Sequence, residues 1–165
     1  MILYDFMNRI FFLLLILFVL TFSGCTMFTG FYIVNESAQP ITVEYKVKYV
    51  TPNTTPMLRY IPAKIAASDL DKSPRENWKQ LTPDQYQFNQ ENRTIAVTVM
   101  PNEALFITEL DGYDGNIKSN TTKYFYIEEI NIKGTEGEIK LTGAQTLTAF
   151  SGSSGKFTLN YLANN

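Results

Sequence analysis

Histidine is absent from the 165 residues, cysteine and tryptophan occur once each, and 14 Lys and Arg nearly balance 16 Asp and Glu. Without histidine there is no Ser–His or Cys–His nucleophile pair, no His-ligated zinc and no side chain that ordinarily titrates near neutrality. A single cysteine leaves nothing for it to pair with in its own chain and no cysteine cluster to hold zinc. The net charge of −2 gives no electrostatic case for nucleic acid as a partner. No Gly-x-Ser-x-Gly elbow occurs, and Gly152-Ser153-Ser154-Gly155-Lys156 lacks the spacing of a phosphate loop and precedes a strand pattern where a helix is needed.

What is present begins with a greasy leader. Eighteen of the first 24 residues are apolar, and residues 10–20 form an unbroken run of 11 behind Arg9 and the terminal amine. That is the length of a signal-peptide core and too short for a membrane span. Thr21-Phe22-Ser23-Gly24 then leads into Cys25, with two small residues before the only cysteine. The segment resembles the lipobox of bacterial lipoproteins. The resemblance implies a signal peptide over 1–24 and a covalent lipid on Cys25 as the new N-terminus; no motif for any other cofactor is found, and none is expected. Thr26, where an Asp would retain such a protein at the inner membrane, implies an outer-membrane lipoprotein facing the periplasm. Several acyl chains hold a protein stably where one holds it only marginally. Residues 25–30 then form the lipidated cysteine with a short tether, and 31–165 a single domain. The resemblance ends with the leader.

The rest reads as strands. Ile41, Val43, Tyr45, Val47 and Tyr49 alternate with Thr42, Glu44, Lys46 and Lys48, the pattern of a half-buried strand with a solvated outer face. Residues 31–34 form a short apolar run, and the polar residues 35–40 suggest that the two strands make a hairpin. Residues 94–100 and 104–110 read as a second hairpin turning at Pro101. Further strands are expected over 124–132 and 138–142, joined by a turn at 133–137, and over 147–150 and 156–162, joined by the loop 151–155. The fold expected is all-β, an antiparallel sandwich of about eight strands, Ig-like or transthyretin-like.

Between residues 51 and 92 the pattern fades into a polar stretch, with a weak strand over 58–61. Ser73-Pro74-Arg75-Glu76 carries an N-cap signature and predicts one short helix in this long middle loop, ending near Gln80. Trp78 lies here. It is a candidate partner contact, since Trp is enriched among interface hot spots, but pinning the middle loop to the sandwich is the reading favoured for it.

Oxygen ligands concentrate at Asp111, Asp114 and Asn116, after Glu109, without the spacing of a calcium loop, so no metal site is assigned and calcium is a weak candidate. Glu128 and Glu129 are adjacent in a strand and are expected on opposite faces. Asn35, Asn53, Asn92 and Asn120 begin Asn-x-Ser/Thr triplets, which mark surface loops.

These features point to a non-enzymatic envelope lipoprotein bound to the membrane through its lipid, contacting a protein or glycan partner. The architecture is similar to small sandwich lipoproteins of secretion systems, and two roles stay open within that class: a structural subunit of an envelope-spanning machine, or a free module that binds a soluble ligand or inhibits. The alternative is a glycan or cell-wall hydrolase using carboxylates of the middle loop and of residues 109–114, since Asp and Glu work without histidine.

Overall fold

The computed structural model describes residues 28–48, 62–70, 78–111, 125–153 and 155–162. Cys25 and its leader, the strand expected at 58–61, the helix start at 73–77, Asp114 and Asn116 lie outside the described residues. Eleven strands follow in chain order: β1 (Phe28–Asn35), β2 (Ile41–Val47), β3 (Ala63–Ala66), β4 (Lys79–Gln80), β5 (Gln87–Asn89), β6 (Thr94–Val99), β7 (Glu103–Asp111), β8 (Ile127–Gly134), β9 (Gly137–Thr142), β10 (Ser151–Ser153) and β11 (Lys156–Tyr161). A 3₁₀ turn covers Ala67–Asp69, and the short helix α1 covers Gln145–Thr148.

The strands form two sheets, β10-β11-β1-β7-β3-β4 and β5-β6-β2-β8-β9, packed as a sandwich. Among the described residues all strand pairs are antiparallel except β1·β11, which run parallel and bring the first and last strands together. In the five-stranded sheet the sequence alternates because only one face is buried: Ile41, Val43, Tyr45 and Val47 point inward from β2, and Ile95, Val97 and Val99 from β6. In the six-stranded sheet, β1 is buried on both faces, and Phe31-Tyr32-Ile33-Val34 accordingly reads as a continuous run. At one end of the core Phe31 packs edge-on against Phe125 (centroids 5.0 Å) and Phe150 (5.4 Å) and stacks on Phe157 (5.6 Å). Burying each such ring contributes about 1.5–3 kcal/mol.

Neither hairpin expected from the sequence forms. β1 and β2 belong to different sheets, as do β6 and β7, so both connections are arches that cross the sandwich. At the second arch the Glu103 amide donates to the Met100 carbonyl (3.1 Å), with Pro101 and Asn102 between them and Asn102 at φ 60°. Proline at the first central position fixes φ near −65° and excludes the type I′ and II′ turns that suit a two-residue hairpin; the turn it permits splays the strands apart. The first arch turns on Asn35, which is fully buried. Its Nδ2 donates to the carbonyls of Gln39 (2.9 Å) and Val99 (3.0 Å), and its Oδ1 accepts from the amide (3.0 Å) and hydroxyl (2.7 Å) of Ser37. Its own carbonyl accepts from the Asn102 amide at 2.9 Å. One side chain thus closes its own arch and ties it to the other. The triplet Asn35-Glu36-Ser37 is therefore an internal clasp rather than a surface mark, because its Asn and Ser bond to each other.

Two further expectations are corrected. Residues 147–150 do not make a strand: Leu147 is buried in α1, and the strand sits at Ser151–Ser153, where a loop was expected. Gly152 allows this, since a Cβ there would collide with the Lys156 carbonyl. Lys79–Gln80, the expected end of a helix, are instead strand β4, paired with Ala63 and Lys64. The turn expected at 133–137 is present, with Gly134 and Gly137 closing a two-residue loop between β8 and β9.

Asn35→Ala removes the side-chain partner of the Val99 carbonyl and of the Ser37 amide in a buried site, while the Ser37 hydroxyl keeps the Gln39 carbonyl at 2.8 Å, and is expected to lower stability by about 2–4 kcal/mol in chemical denaturation. A loss below about 0.5 kcal/mol would show that the clasp is dispensable. A second test concerns Tyr45, whose buried hydroxyl has no partner among the described residues. Burial, reinforced by Tyr86, pushes its ionisation well above the ordinary tyrosine value. The folded chain therefore keeps a proton that the unfolded chain releases near pH 10, so stability is full below that pH and falls as pH rises through it. Tyr45→Phe should hold or raise Tm at neutral pH and flatten the alkaline loss; an unchanged alkaline slope would contradict this.

Candidate functional site

The outer faces of the two sheets differ. On the six-stranded sheet, Tyr32 and Val34 of β1 and Ala104 and Phe106 of β7 form an apolar strip. Ile65 of β3 extends the strip, Ala67 and Leu70 just beyond β3 pack onto it, and Trp78 closes the cluster. Trp78 stands edge-on to Tyr32 (5.0 Å) and tilted against Phe106 (5.2 Å), half-buried, with no acceptor for its indole N–H among the described residues. The Lys156 ammonium donates to the Leu70 carbonyl and fastens the covering segment to β11, so the Gly152–Lys156 region presents its lysine to the protein's own backbone. The structure places Trp78 as the pin of this covering segment.

The outer face of the five-stranded sheet carries no such cover among the described residues. Thr42 and Glu44 of β2, Thr98 of β6, Glu129 and Lys133 of β8, and Glu138 and Lys140 of β9 are exposed there, with Asn131 half-buried among them. Two shallow hollows of about 270 and 510 Å³ lie side by side at β5, β6 and β2. Ala96 lines both, because its methyl group sits between the longer Glu44 and Gln87 on the neighbouring strands. Thr42 and Thr98 line the first hollow and Asn89, Asn92 and Thr94 the second. At the rim, a hydrogen bond with Thr82 holds the exposed Asp84 carboxyl below its usual range, so it stays ionised.

Glu128 and Glu129 do not lie on opposite faces. The β2·β8 register slips between Lys46, opposite Glu129, and Val47, opposite Ile127, leaving Glu128 as the extra residue of a bulge. Both carboxylates consequently reach the Lys46 ammonium, at 3.4 and 3.7 Å. Arg93, held at φ 61° in the turn before β6, forks onto both oxygens of Glu128 (3.3 and 3.2 Å) and also donates to the Val47 carbonyl. Glu128 is thus flanked by two cations. Held by Lys46 on one side and by the Arg93 fork on the other, Glu128 braces the end of the sheet. Lys48, the next cation along, donates to the Phe125 carbonyl at 2.9 Å.

Of the oxygen-rich loop, only the backbone of Asp111, paired with Phe28 at the end of β7, is described. Among the described residues no group of three acidic, His or Cys side chains is gathered where it could hold a metal. The bulge and the hollows were not legible from the sequence. A bulge adds one residue without disturbing composition, and a hollow arises from residues on three strands. The only available signal was Ala96, a small residue in an otherwise β-branched strand.

Trp78 is the only tryptophan, so its fluorescence reports the covering segment directly. A blue-shifted emission resistant to acrylamide is expected, and Trp78→Ala should cost about 2 kcal/mol while leaving the strand signal intact; a red, readily quenched emission would place the ring in solvent and contradict the packing. No protein-family model, curated protein or solved structure matches the chain.

Proposed function

We propose that this chain is a non-enzymatic lipoprotein of a bacterial envelope, tethered through Cys25, that contacts a protein or glycan partner with the open outer face of its five-stranded sheet. The observation that carries this reading is the asymmetry of the sandwich. One sheet spends its outer face on the protein's own covering segment around Trp78. The other exposes a polar shelf with two adjoining hollows. Threonine and asparagine there keep the shelf soluble without a partner while offering hydrogen-bond donors and acceptors to one, as a reversible interface requires.

The position of the anchor agrees with this division of labour. β1 starts at Phe28, three residues beyond Cys25, and lies in the covered sheet. A tether that short holds the covered layer near the bilayer and leaves the polar shelf accessible. The carboxylates best placed for chemistry support contact over catalysis, since Glu128 is clamped by Arg93 and Lys46, and Glu103 by Lys64 and the Met100 amide. An outer-membrane position facing the periplasm follows from Thr26 by resemblance to lipoproteins sorted on that residue.

Two measurements test the reading. Cys25→Ser should abolish labelling of the protein by fatty acid and leave its leader uncleaved; labelling and leader cleavage left unchanged by the substitution would refute the anchor. After mild detergent extraction the wild-type protein should migrate with a partner, and Ala96→Arg, which fills both hollows, should abolish that co-migration while Ser68→Arg on the covering segment preserves it. Equal behaviour of the two variants would remove the shelf from the proposal.

A further inference from the structure

Sheet edges are open ladders unless something covers them. Three of the four edge strands are short: β4 has two residues, and β5 and β10 have three each. β9 has six and, among the described residues, no strand on its outer side.

The hydrogen-bond phase of β9 is fixed by two observations. Gly134 and Gly137 close the two-residue turn, and at the other end the Gly143 amide donates to the Glu128 carbonyl at 3.1 Å. Antiparallel pairs alternate between bonded and non-bonded, so Gly137, Ile139, Leu141 and Gly143 face β8. Glu138, Lys140 and Thr142 therefore turn their N–H and C=O groups outward. The outward amide of Thr142 is met by Gln145 Oε1 of α1 at 3.5 Å, which closes that end of the edge. What remains open is Glu138 and Lys140, flanking Ile139, whose side chain is only partly buried at the margin of the core.

We infer that β9 pairs antiparallel with β9 of a second copy of this chain, about a two-fold axis through Ile139, joining the two five-stranded sheets into one of ten strands. In that register Glu138 of each copy lies opposite Lys140 of the other. Both residues have outward backbone groups, so each of these two pairs exchanges two hydrogen bonds, and each also joins opposite charges on the solvent face. The two Ile139 side chains meet on the core side in the closer, non-bonded pairing. The neighbouring registers with the same hydrogen-bond phase put Glu138 opposite Glu138 or Lys140 opposite Lys140, and like charges directly opposite are destabilising. A second copy is thus the occupant this edge is complementary to. Among the described residues Glu138 pairs with Lys133 at 3.8 Å, which joins side chains that are both more than half exposed and gives up little on pairing.

The two-fold runs perpendicular to the sheets, so both polar shelves face the same way and both β1 strands lie in the layer beneath. Two anchors in one bilayer then require the strands to lie along the membrane, with the doubled shelf turned away from it. The pairing itself does not depend on the anchor or on the shelf's partner.

The test uses the full chain purified in detergent, with mass read by analytical ultracentrifugation. Wild type is expected to be dimeric at ~100 µM. Lys140→Glu and Glu138→Lys, each placing like charges opposite, should each weaken the dimer about tenfold or more. Combining both substitutions should restore it, which loss of folding cannot mimic. In a Cys25→Ser background, Ile139→Cys should form an intermolecular disulfide on mild oxidation, because residues on the axis of a non-bonded pair have Cα atoms within bridging distance, and Leu141→Cys should not. A monomeric wild type at that concentration, single variants that dimerise like wild type, a double variant that stays monomeric, or equal crosslinking at 139 and 141 would each overturn the inference.

Discussion

A single buried amide holds the two sheets to their relative positions. Asn35 lies where the chain leaves one sheet for the other, and its side chain bonds to Gln39 on its own arch and to Val99 at the end of the neighbouring one. A buried Asn with two donors and an acceptor all engaged is expensive to replace, because an apolar residue would strand its partners and a charged one would enter a site with no counter-ion. The C-terminal strand joins the same corner: the Glu36 amide donates to the Tyr161 carbonyl, and Asn160 donates to the Glu36 carboxylate at 2.7 Å. Tyr161 in turn reaches the Gly137 carbonyl in the turn between β8 and β9. The corner thus gathers the first strand, the last strand, both arches and one hairpin.

The division between a covered and an open sheet follows from this corner. Because β1 and β7 stand side by side in one sheet with their apolar residues on both faces, that sheet needs a second cover, and Ile65, Ala67, Leu70 and Trp78 supply it. Because β2 and β6 carry apolar residues on one face only, their sheet needs none. Which sheet keeps an open outer face is therefore the consequence of where Ile65, Ala67, Leu70 and Trp78 find apolar surface to bury. Fixing the arches fixes which sheet is left open.

Much of this was legible in the sequence. The alternation from Ile41 to Val47 and the turn between β8 and β9 appeared as read, and residues 31–34 were read as a short apolar strand, while the burial of both its faces came only from the structure. The partners of these strands were not legible. Asn35 and the residues up to Pro40 look like a hairpin turn by composition, and only the long-range bond to Val99, 64 residues away, makes them an arch. At Pro101 the signal was present but its direction was missed, since proline at the first central position argues against a hairpin. Glu128 and Glu129 were assigned opposite faces by a period of two that a bulge interrupts. Lys79 and Gln80 became a strand because β3 offered an edge, a tertiary effect beyond any local capping signature.

Native-state hydrogen exchange tests the central role of the Asn35 corner most directly. The amides of Ser37 and Asn102, which donate to the side chain and backbone of Asn35, are followed against Val43 and Ile107 in the strand centres over a denaturant series. If the clasp holds the sheets together, the two corner amides open only with the whole domain, with the same free energy and denaturant dependence as the strand centres. Fast, denaturant-independent exchange at Ser37 and Asn102 while Val43 and Ile107 stay protected would show a corner that frays by itself, and would contradict the account.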